Sequence, residues 1–222
     1  MSLRAVLWDL DGTLVDSENY HWLAWRDTMA NEGVALTFEQ FRETFGWRND
    51  AILRRWLGPN ADPRRMERIG AAKEEQYRAL VRRGGLAPLP GAAEWVRRLR
   101  AAGWAQAVAS SAPRLNIEVV LEAMGLAGLF ETSVSAEDVE RGKPDPQVFL
   151  TAAARLGAPP QRAIVVEDAA AGIEAARRAG MRSIAVARDG KQLPADIVVR
   201  SLAELPGDAF TGLLAGERGD LG

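Results

Sequence analysis

The chain has 222 residues, of which 47% are hydrophobic, and its 28 lysines and arginines nearly balance 30 aspartates and glutamates. This length suits one large domain or one domain with an insertion, and the balanced charge argues against a nucleic-acid partner. The absence of cysteine and the single histidine exclude disulfides and multi-histidine metal sites, and because no segment resembles a membrane span, we expect a cytoplasmic protein without a membrane partner.

The first predicted strand, Ala5–Leu10, leads into two aspartates and a Gly-Thr turn. Asp9 and Asp11 are two residues apart, so their side chains project to the same side where the strand ends. Two crowded carboxylates repel each other unless a cation or a shared proton relieves them. The pair therefore suits a Mg²⁺ site, or a nucleophile with a neighbouring acid/base. An ordinary Asp-Gly turn after a strand would have the same sequence, so both interpretations stay open at this point.

Residues 17–86 contain only helical patterns and interrupt the alternation of strands and helices. Four of the seven tryptophans lie between Trp22 and Trp56, and glycines and prolines mark the return to strands. We expect a helical cap that is inserted after the first strand and covers the strand ends, where it could act as a lid. Such an insertion could also be a mere packing subdomain. The predicted domains are a core of 1–16 and 87–222 and a cap of 17–86.

Beyond the cap, short apolar runs alternate with amphipathic stretches. The predicted strands are Ala105–Ser110, Thr132–Ser135, Ala163–Glu167, Ser183–Ala187 and Ile197–Val199. The predicted helices are Asn116–Met124, Pro146–Leu156 and Ala169–Ala179. This alternation predicts an α/β fold, a Rossmann-like parallel sheet with helices on both faces, in which ligands bind beyond the carboxyl ends of the strands. The polar, glycine-rich tail from Gly216 is expected to fray.

Polar residues follow several of these strands. Ser110 and Ser111 end the second strand, where a hydroxyl could bind an anionic oxygen or cap the next helix. Lys143 lies in Gly-Lys-Pro-Asp-Pro, where its ammonium could neutralise a phosphoryl group or remain a solvated loop lysine. Glu167 and Asp168 follow a buried apolar run, where two acids are costly without a cation, although Asp168 could also cap a helix. Each of these residues has a structural interpretation when it is taken alone, but their joint occurrence after predicted strands favours a functional site.

Taken together with the first motif, these residues follow the order of the motifs of the haloacid dehalogenase superfamily, in its phosphatase and phosphoglucomutase branch. The chain resembles this superfamily over essentially residues 3–200. The matching motifs are Asp9-Leu10-Asp11-Gly12-Thr13, then Ser110, then Lys143 in Gly-Lys-Pro-Asp-Pro, then Glu167-Asp168. The helical insertion is similar to the small helical cap of that family.

The resemblance implies that Asp9 attacks phosphorus to form an aspartyl-phosphate. Asp11 would protonate the leaving oxygen and then activate water. Mg²⁺ would be held by Asp9, the main-chain carbonyl of Asp11 and Asp168, with Glu167 assisting. The dehalogenases and the phosphonate-cleaving members lack the second aspartate, so Asp11 indicates a phosphate ester substrate.

The same resemblance implies contacts to the transferring phosphoryl group. Ser110 and Lys143 would hold its oxygens. Gly12, Thr13 and Ser111 are further predicted substrate-binding residues.

In the cap, the resemblance predicts contacts to the rest of the substrate. His21 and Trp25 lie where sugar-phosphate mutases of this branch carry a histidine and a tryptophan, and their histidine couples substrate binding to the acid/base aspartate. Arg48 lies in the loop whose arginine binds the distal phosphate in the mutases, although Asn49 stands where that arginine would fall. Lys73 is a second candidate cation. His21 could instead be a polar residue at a helix start, and the tryptophan could be cap core.

We therefore expect a Mg²⁺-dependent phosphatase that acts, as a monomer, on a small phosphorylated metabolite, with a sugar phosphate preferred. A β-phosphoglucomutase-like isomerase would share every core residue and would transfer the phosphoryl group to a sugar hydroxyl instead of water. A catalytically silent binding or regulatory protein on the same fold is the third alternative, and the intact motifs argue against it. The sequence does not identify the substrate.

Overall fold

Six parallel strands form a sheet at the centre of the protein, whose computed structural model describes residues 3–216. The order across the sheet is β3-β2-β1-β4-β5-β6. The strands are β1 (Ala5–Trp8), β2 (Ala105–Ala109), β3 (Thr132–Val134), β4 (Ala163–Glu167), β5 (Arg182–Val186) and β6 (Ile197–Val199). The predicted α/β class is confirmed, and β4 and β6 have the predicted bounds. The tail beyond Gly216, which was expected to fray, lies outside the described residues.

The end of β1 creates the turn that carries the two aspartates. β1 ends at Trp8, two residues before the predicted end at Leu10. The N–H of Asp9 still donates to the carbonyl of Val166 (2.9 Å), but the N–H of Leu14 turns back to the carbonyl of Leu10 (2.9 Å). The chain therefore leaves the sheet directly after Asp9.

Nine helices occur between residues 3 and 216. They are α1 (Glu18–Asn31), α2 (Phe38–Thr44), α3 (Asn49–Leu57), α4 (Pro63–Gly84), α5 (Ala92–Ala101), α6 (Arg114–Ala123), α7 (Gln147–Leu156), α8 (Ala170–Arg178) and α9 (Ala209–Ala215). The longest, α4, begins where Asp62 accepts a hydrogen bond from the N–H of Arg64 and proline takes the first helical position, as is typical of helix starts. In this part of the chain no helix combines the length and apolar character that crossing a membrane requires.

Alternate residues of β1 enter two separate hydrophobic clusters on opposite faces of the sheet. Val6 and Trp8 belong to a cluster with residues of α5, α6 and α9. Ala5 and Leu7 belong to a cluster with residues of α7 and α8. Because both of its faces are covered, β1 is apolar throughout, as is usual in parallel sheets.

The helices α1 to α4 share a third hydrophobic cluster, the cap cluster. Its buried members are Trp25, Met29, Phe41, Ile52, Leu53, Met66 and Ile69. Further along α4, Tyr77 and Val81 instead join the cluster of the sheet, so this helix connects the two parts. The division into a core and a cap at residues 16/17 and 86/87 stays a prediction.

Candidate active site

The four sequence motifs meet at the carboxyl edge of the sheet because β1 lies between β2 and β4. Asp9 follows β1, Ser110 follows β2 and Glu167 is the last residue of β4. Lys143 reaches the same edge from the loop between β3 and α7. Together with residues of α1 to α4, these side chains line a cavity of about 280 Å³, which has room for a small organic molecule.

Lys143 joins the acids of two motifs. Its Nζ donates to Asp9 Oδ1 (2.5 Å) and to Glu167 Oε1 (2.6 Å), and only 7% of its side chain is exposed. This excludes the alternative of a solvated loop lysine. Burial disfavours the charge on Lys143, but the two carboxylates outweigh it and raise the pKa of the ammonium. The lysine is therefore cationic at the point where Asp9 is predicted to meet phosphorus.

Negative charge is concentrated beside this lysine. Carboxylate oxygens of Asp9, Glu167 and Asp168 all lie within 4.8 Å of one another. Burial raises the pKa of Asp9 to about 8, with Lys143 opposing the shift and Glu167 adding to it. Burial and the neighbouring carboxylates also raise the pKa of Asp168 well above its usual range. A set of oxygen donors whose charge is only partly balanced fits a hard divalent cation such as Mg²⁺.

Two glycines allow the acids to approach the backbone. A Cβ on Gly12, whose φ is +93°, would lie 2.1 Å from Asp168 Oδ2. A Cβ on Gly172 in α8 would lie 1.9 Å from Glu167 Oε1. Thr13 is fully buried next to this region and its hydroxyl lies 3.4 Å from Asp168 Oδ1. The glycine and threonine of the first motif therefore position Asp168, and Gly172 leaves room for Glu167.

Neither Ser110 nor Asp168 caps a helix, so the alternative of a capping role is excluded for both residues. Helix α6 begins after Pro113, and the Ser110 hydroxyl instead accepts from the N–H of Ala112 (3.1 Å). Helix α8 begins after Ala169, which has no side-chain cap. Ser110 is buried, and both it and Ser111 line the cavity, as expected for groups that contact an anion.

Asp11 lies apart from the acidic cluster. Its carboxylate accepts a hydrogen bond from Ser17, and His21 Nε2 lies 3.4 Å from Asp11 Oδ1. Burial opposes ionisation of Asp11, but its contacts with His21 and Ser17 outweigh burial and lower the pKa of the carboxyl. The predicted metal contact of Asp11 through its main-chain carbonyl stays a prediction.

Lys73 extends this arrangement into α4. Its Nζ lies 2.9 Å from His21 Nδ1 and 2.9 Å from Glu74 Oε1, with only 2% of the lysine exposed. Because an ammonium only donates, Nδ1 accepts and the proton of the neutral imidazole is on Nε2, towards Asp11. Burial and the charge of Lys73 lower the pKa of His21, which keeps the ring neutral. His21 therefore has a defined contact with the acid/base candidate.

The structure places the other two cap candidates differently. Trp25 is 1% exposed and belongs to the cap cluster, with its ring 5.0 Å from that of Trp56, yet it also lines the cavity. Arg48 is not among the cavity-lining residues. Its guanidinium donates to the main-chain carbonyls of Ala136 (3.2 Å) and Val139 (2.9 Å), in the loop after β3. A substrate contact of Arg48 stays a prediction that this arrangement does not support.

Sequence reasoning missed two residues of the site, Ser17 and Glu74. Ser17 precedes α1, which is the usual position of a capping serine, but its hydroxyl binds Asp11 and makes no cap. Glu74 lines the cavity and accepts from Lys73, from Asn49 (2.7 Å) and from Asn116 of α6. The sequence does not indicate that Glu74 belongs to the site, because adjacent lysine and glutamate residues on an amphipathic helix usually lie in solvent.

Comparison with known proteins shows which family the chain belongs to. A family model described as haloacid dehalogenase-like hydrolase matches residues 3–180, and the chain belongs to this family of enzymes. Hexitol phosphatase B of Escherichia coli (strain K12) is 32% identical over 218 residues, which cover 95% of this chain and 97% of that protein. Beta-phosphoglucomutase of Bacillus subtilis (strain 168) is 30% identical over 211 residues, which cover 91% and 92%.

A solved structure confirms the fold. A mutant of CbbY from Rhodobacter sphaeroides, in complex with xylulose-(1,5)bisphosphate, aligns with a TM-score of 0.85 at 30% identity. The alignment covers 94% of this chain and 98% of that one. The parallel sheet and its helices are therefore those of a haloacid dehalogenase-like enzyme.

Proposed function

We propose that this protein is a Mg²⁺-dependent phosphatase that hydrolyses a small phosphorylated metabolite, in particular a sugar phosphate, through an aspartyl-phosphate. The observation that carries the proposal is the position of Lys143 between Asp9 and Glu167, at one end of a small cavity. A buried ammonium beside a nucleophilic carboxylate is suited to stabilise the charge on a transferring phosphoryl group. The family membership and the phosphatase among the relatives support the same reaction.

In the first step, a carboxylate oxygen of Asp9 forms a bond to phosphorus while the bond between phosphorus and the ester oxygen breaks. The leaving oxygen takes a proton from Asp11, whose carboxyl lies next to His21. Lys143, Ser110 and Ser111 hold the oxygens of the phosphoryl group during the transfer.

In the second step, the Asp11 carboxylate takes a proton from water, and the resulting hydroxide attacks phosphorus. The bond between phosphorus and Asp9 breaks, inorganic phosphate leaves and Asp9 is restored. Asp11 is a carboxylate once it has given up its proton in the first step, and its contacts with His21 and Ser17, which lower its pKa, favour this ionised form for the base role.

The oxygens of Asp9, Glu167 and Asp168 would hold Mg²⁺. When bound, it supplies positive charge that screens the phosphate from the carboxylate nucleophile. Lys143 supplies the complementary charge from the protein itself. The acidic residues also explain why a phosphate dianion would be repelled from the metal-free site.

A second candidate is a sugar-phosphate mutase, which the likeness to a β-phosphoglucomutase favours. The two reactions share the first step and differ in whether water or a sugar hydroxyl accepts the phosphoryl group. Phosphorus NMR of β-glucose 1-phosphate with enzyme, Mg²⁺ and a glucose bisphosphate primer distinguishes them. Release of inorganic phosphate without an isomer is the result that we expect, and accumulation of glucose 6-phosphate would show that the mutase is correct.

A further inference from the structure

Aromatic and aliphatic side chains form about half of the cavity lining that residues 17–86 contribute. They belong to Trp25, Phe41, Phe45, Trp47 and Ile52. Trp47 is 49% exposed, whereas Trp25 and Phe41 are buried in the cap cluster. An aromatic lining of this kind favours contact with a ring or a hydrocarbon face, and its side chains carry no positive charge that would pair with an anion.

The cationic side chains of the cavity are already paired. Lys143 binds the carboxylates of Asp9 and Glu167. Lys73 Nζ lies 2.9 Å from Glu74 Oε1. Arg48 lies in the adjoining cap segment, but it donates to main-chain carbonyls and does not line the cavity. Among the lining residues of the described chain, no lysine or arginine is left for a second anionic group of a substrate.

The charge of the lining leads to the same conclusion. Five carboxylates and two ammonium groups line the cavity, so the carboxylates exceed the ammonium groups by three when all are ionised. A divalent cation and the proton that Asp11 gives in the first step would balance this excess before the first phosphate enters, so the lining would keep no positive charge for a second anionic group. A second phosphate or a carboxylate on the substrate would be desolvated beside aromatic rings without a partner of opposite charge.

We propose that the substrate is a monophosphate whose leaving group is uncharged and lies with an apolar face against the aromatic residues of the cap. Bisphosphates and phosphorylated acids are then poor substrates. This inference rests on the proposed phosphatase function and adds the chemical class of its substrate. The cavity of about 280 Å³ limits the leaving group to a small molecule.

A matched pair of aryl phosphates tests the inference without knowledge of the natural substrate. 4-Carbamoylphenyl phosphate and 4-carboxyphenyl phosphate have nearly the same shape and differ by one negative charge. We expect kcat/KM for the neutral carbamoyl compound to be higher by at least about tenfold. A ratio near one, or one that favours the carboxylate, would overturn the substrate class while leaving the phosphatase function intact. The absence of Mg²⁺-dependent hydrolysis of both compounds would instead overturn the phosphatase function, and this inference with it.

Two cap variants show whether the lining causes the preference. Trp47→Arg places a cation at the half-exposed edge of the cavity, so the ratio of the two kcat/KM values should fall severalfold towards one. Phe38→Arg is the matched control, because Phe38 is also an exposed aromatic residue of the cap (43%) but does not line the cavity. The ratio of the two kcat/KM values measured with Phe38→Arg should equal that of the unmodified enzyme. An unchanged ratio in Trp47→Arg, or an equal fall in Phe38→Arg, would contradict the inference.

Discussion

The carboxylate of Glu167 occupies the space that a side chain at Gly172 would need, since a Cβ there would lie 1.9 Å from Glu167 Oε1. Gly172→Ala should therefore displace Glu167 from Lys143 and reduce kcat by roughly tenfold or more, because small misplacements in an active site are costly. Steady-state kinetics with an aryl phosphate measures the effect. Gly70→Ala is the control, since its Cβ would lie 3.7 Å or more from its neighbours, and its kcat should be unchanged. Equal kcat values for the two variants would contradict the positioning role.

Lys143 should be essential for its charge and its compact shape. Lys143→Ala removes the ammonium between Asp9 and Glu167 and should lower kcat by roughly 10²-fold or more. Lys143→Arg should restore little activity, because a planar guanidinium does not replace an ammonium in a tightly enclosed site. Lys191→Ala, at a lysine whose side chain is 71% exposed, serves as the control. Near-normal rates in both Lys143 variants would mean that this residue does not stabilise the transferring group.

Activity should depend on a divalent cation, because the carboxylates of Asp9, Glu167 and Asp168 otherwise repel one another and the phosphate. Chelation with EDTA should abolish hydrolysis, and excess Mg²⁺ should restore it. Mg²⁺ should also raise the thermal unfolding midpoint, since a ligand of the native state stabilises it. Asp168→Asn should weaken both effects, whereas Glu174→Gln, at a partly exposed acid bound by Arg177, should not. Full activity in chelator would refute the metal assignment.

The loop that leads to Lys143 should gain stability from Asp138 in a pH-dependent way. Burial opposes ionisation of Asp138, but hydrogen bonds from Arg155, Ser135 and Arg114 outweigh it and hold the pKa of this carboxyl below its usual range. A lowered folded-state pKa contributes stability above the unfolded-state value of about 4, and this stability is lost as the pH falls towards the folded-state value. Asp138→Asn should therefore destabilise the protein by roughly 1–3 kcal/mol at pH 7 and by less at pH 3.

Urea unfolding at the two pH values measures this difference. Asp208→Asn is the matched control, because the side chain of Asp208 precedes α9 without capping it. A destabilisation by Asp138→Asn that is as large at pH 3 as at pH 7 would contradict the electrostatic explanation.

Most of the sheet was predictable because five of its six strands are short, mainly apolar runs, with β3 (Thr-Ser-Val) as the exception. β4 and β6 were predicted to the residue, whereas β1 was predicted two residues too long, since the apolar Leu10 looks like strand and in fact accepts the hydrogen bonds of a turn. The positions of the four motifs followed from parallel topology, which brings the carboxyl ends of neighbouring strands together.

The cap contacts were less predictable, because they depend on long-range packing. The pairing of Lys73 with His21 joins residues 52 positions apart, and Arg48 reaches a loop 88 to 91 positions away. An arginine in a substrate loop and an arginine that binds main-chain carbonyls have the same local sequence. Only the three-dimensional arrangement distinguishes a cation that is available to a substrate from one that is already engaged.

Asp9 accepts the phosphoryl group in the proposed reaction, and the variant Asp9→Asn probes this role. The measurement is the initial rate of Mg²⁺-dependent phosphate release from an aryl phosphate, with Asp27→Asn as a control at a partly exposed aspartate. An amide is not a competent nucleophile, so Asp9→Asn should fold like the unmodified enzyme and lose turnover by at least about 10³-fold, while Asp27→Asn remains fully active. Release of phosphate by Asp9→Asn at a rate near that of the unmodified enzyme would contradict the covalent mechanism.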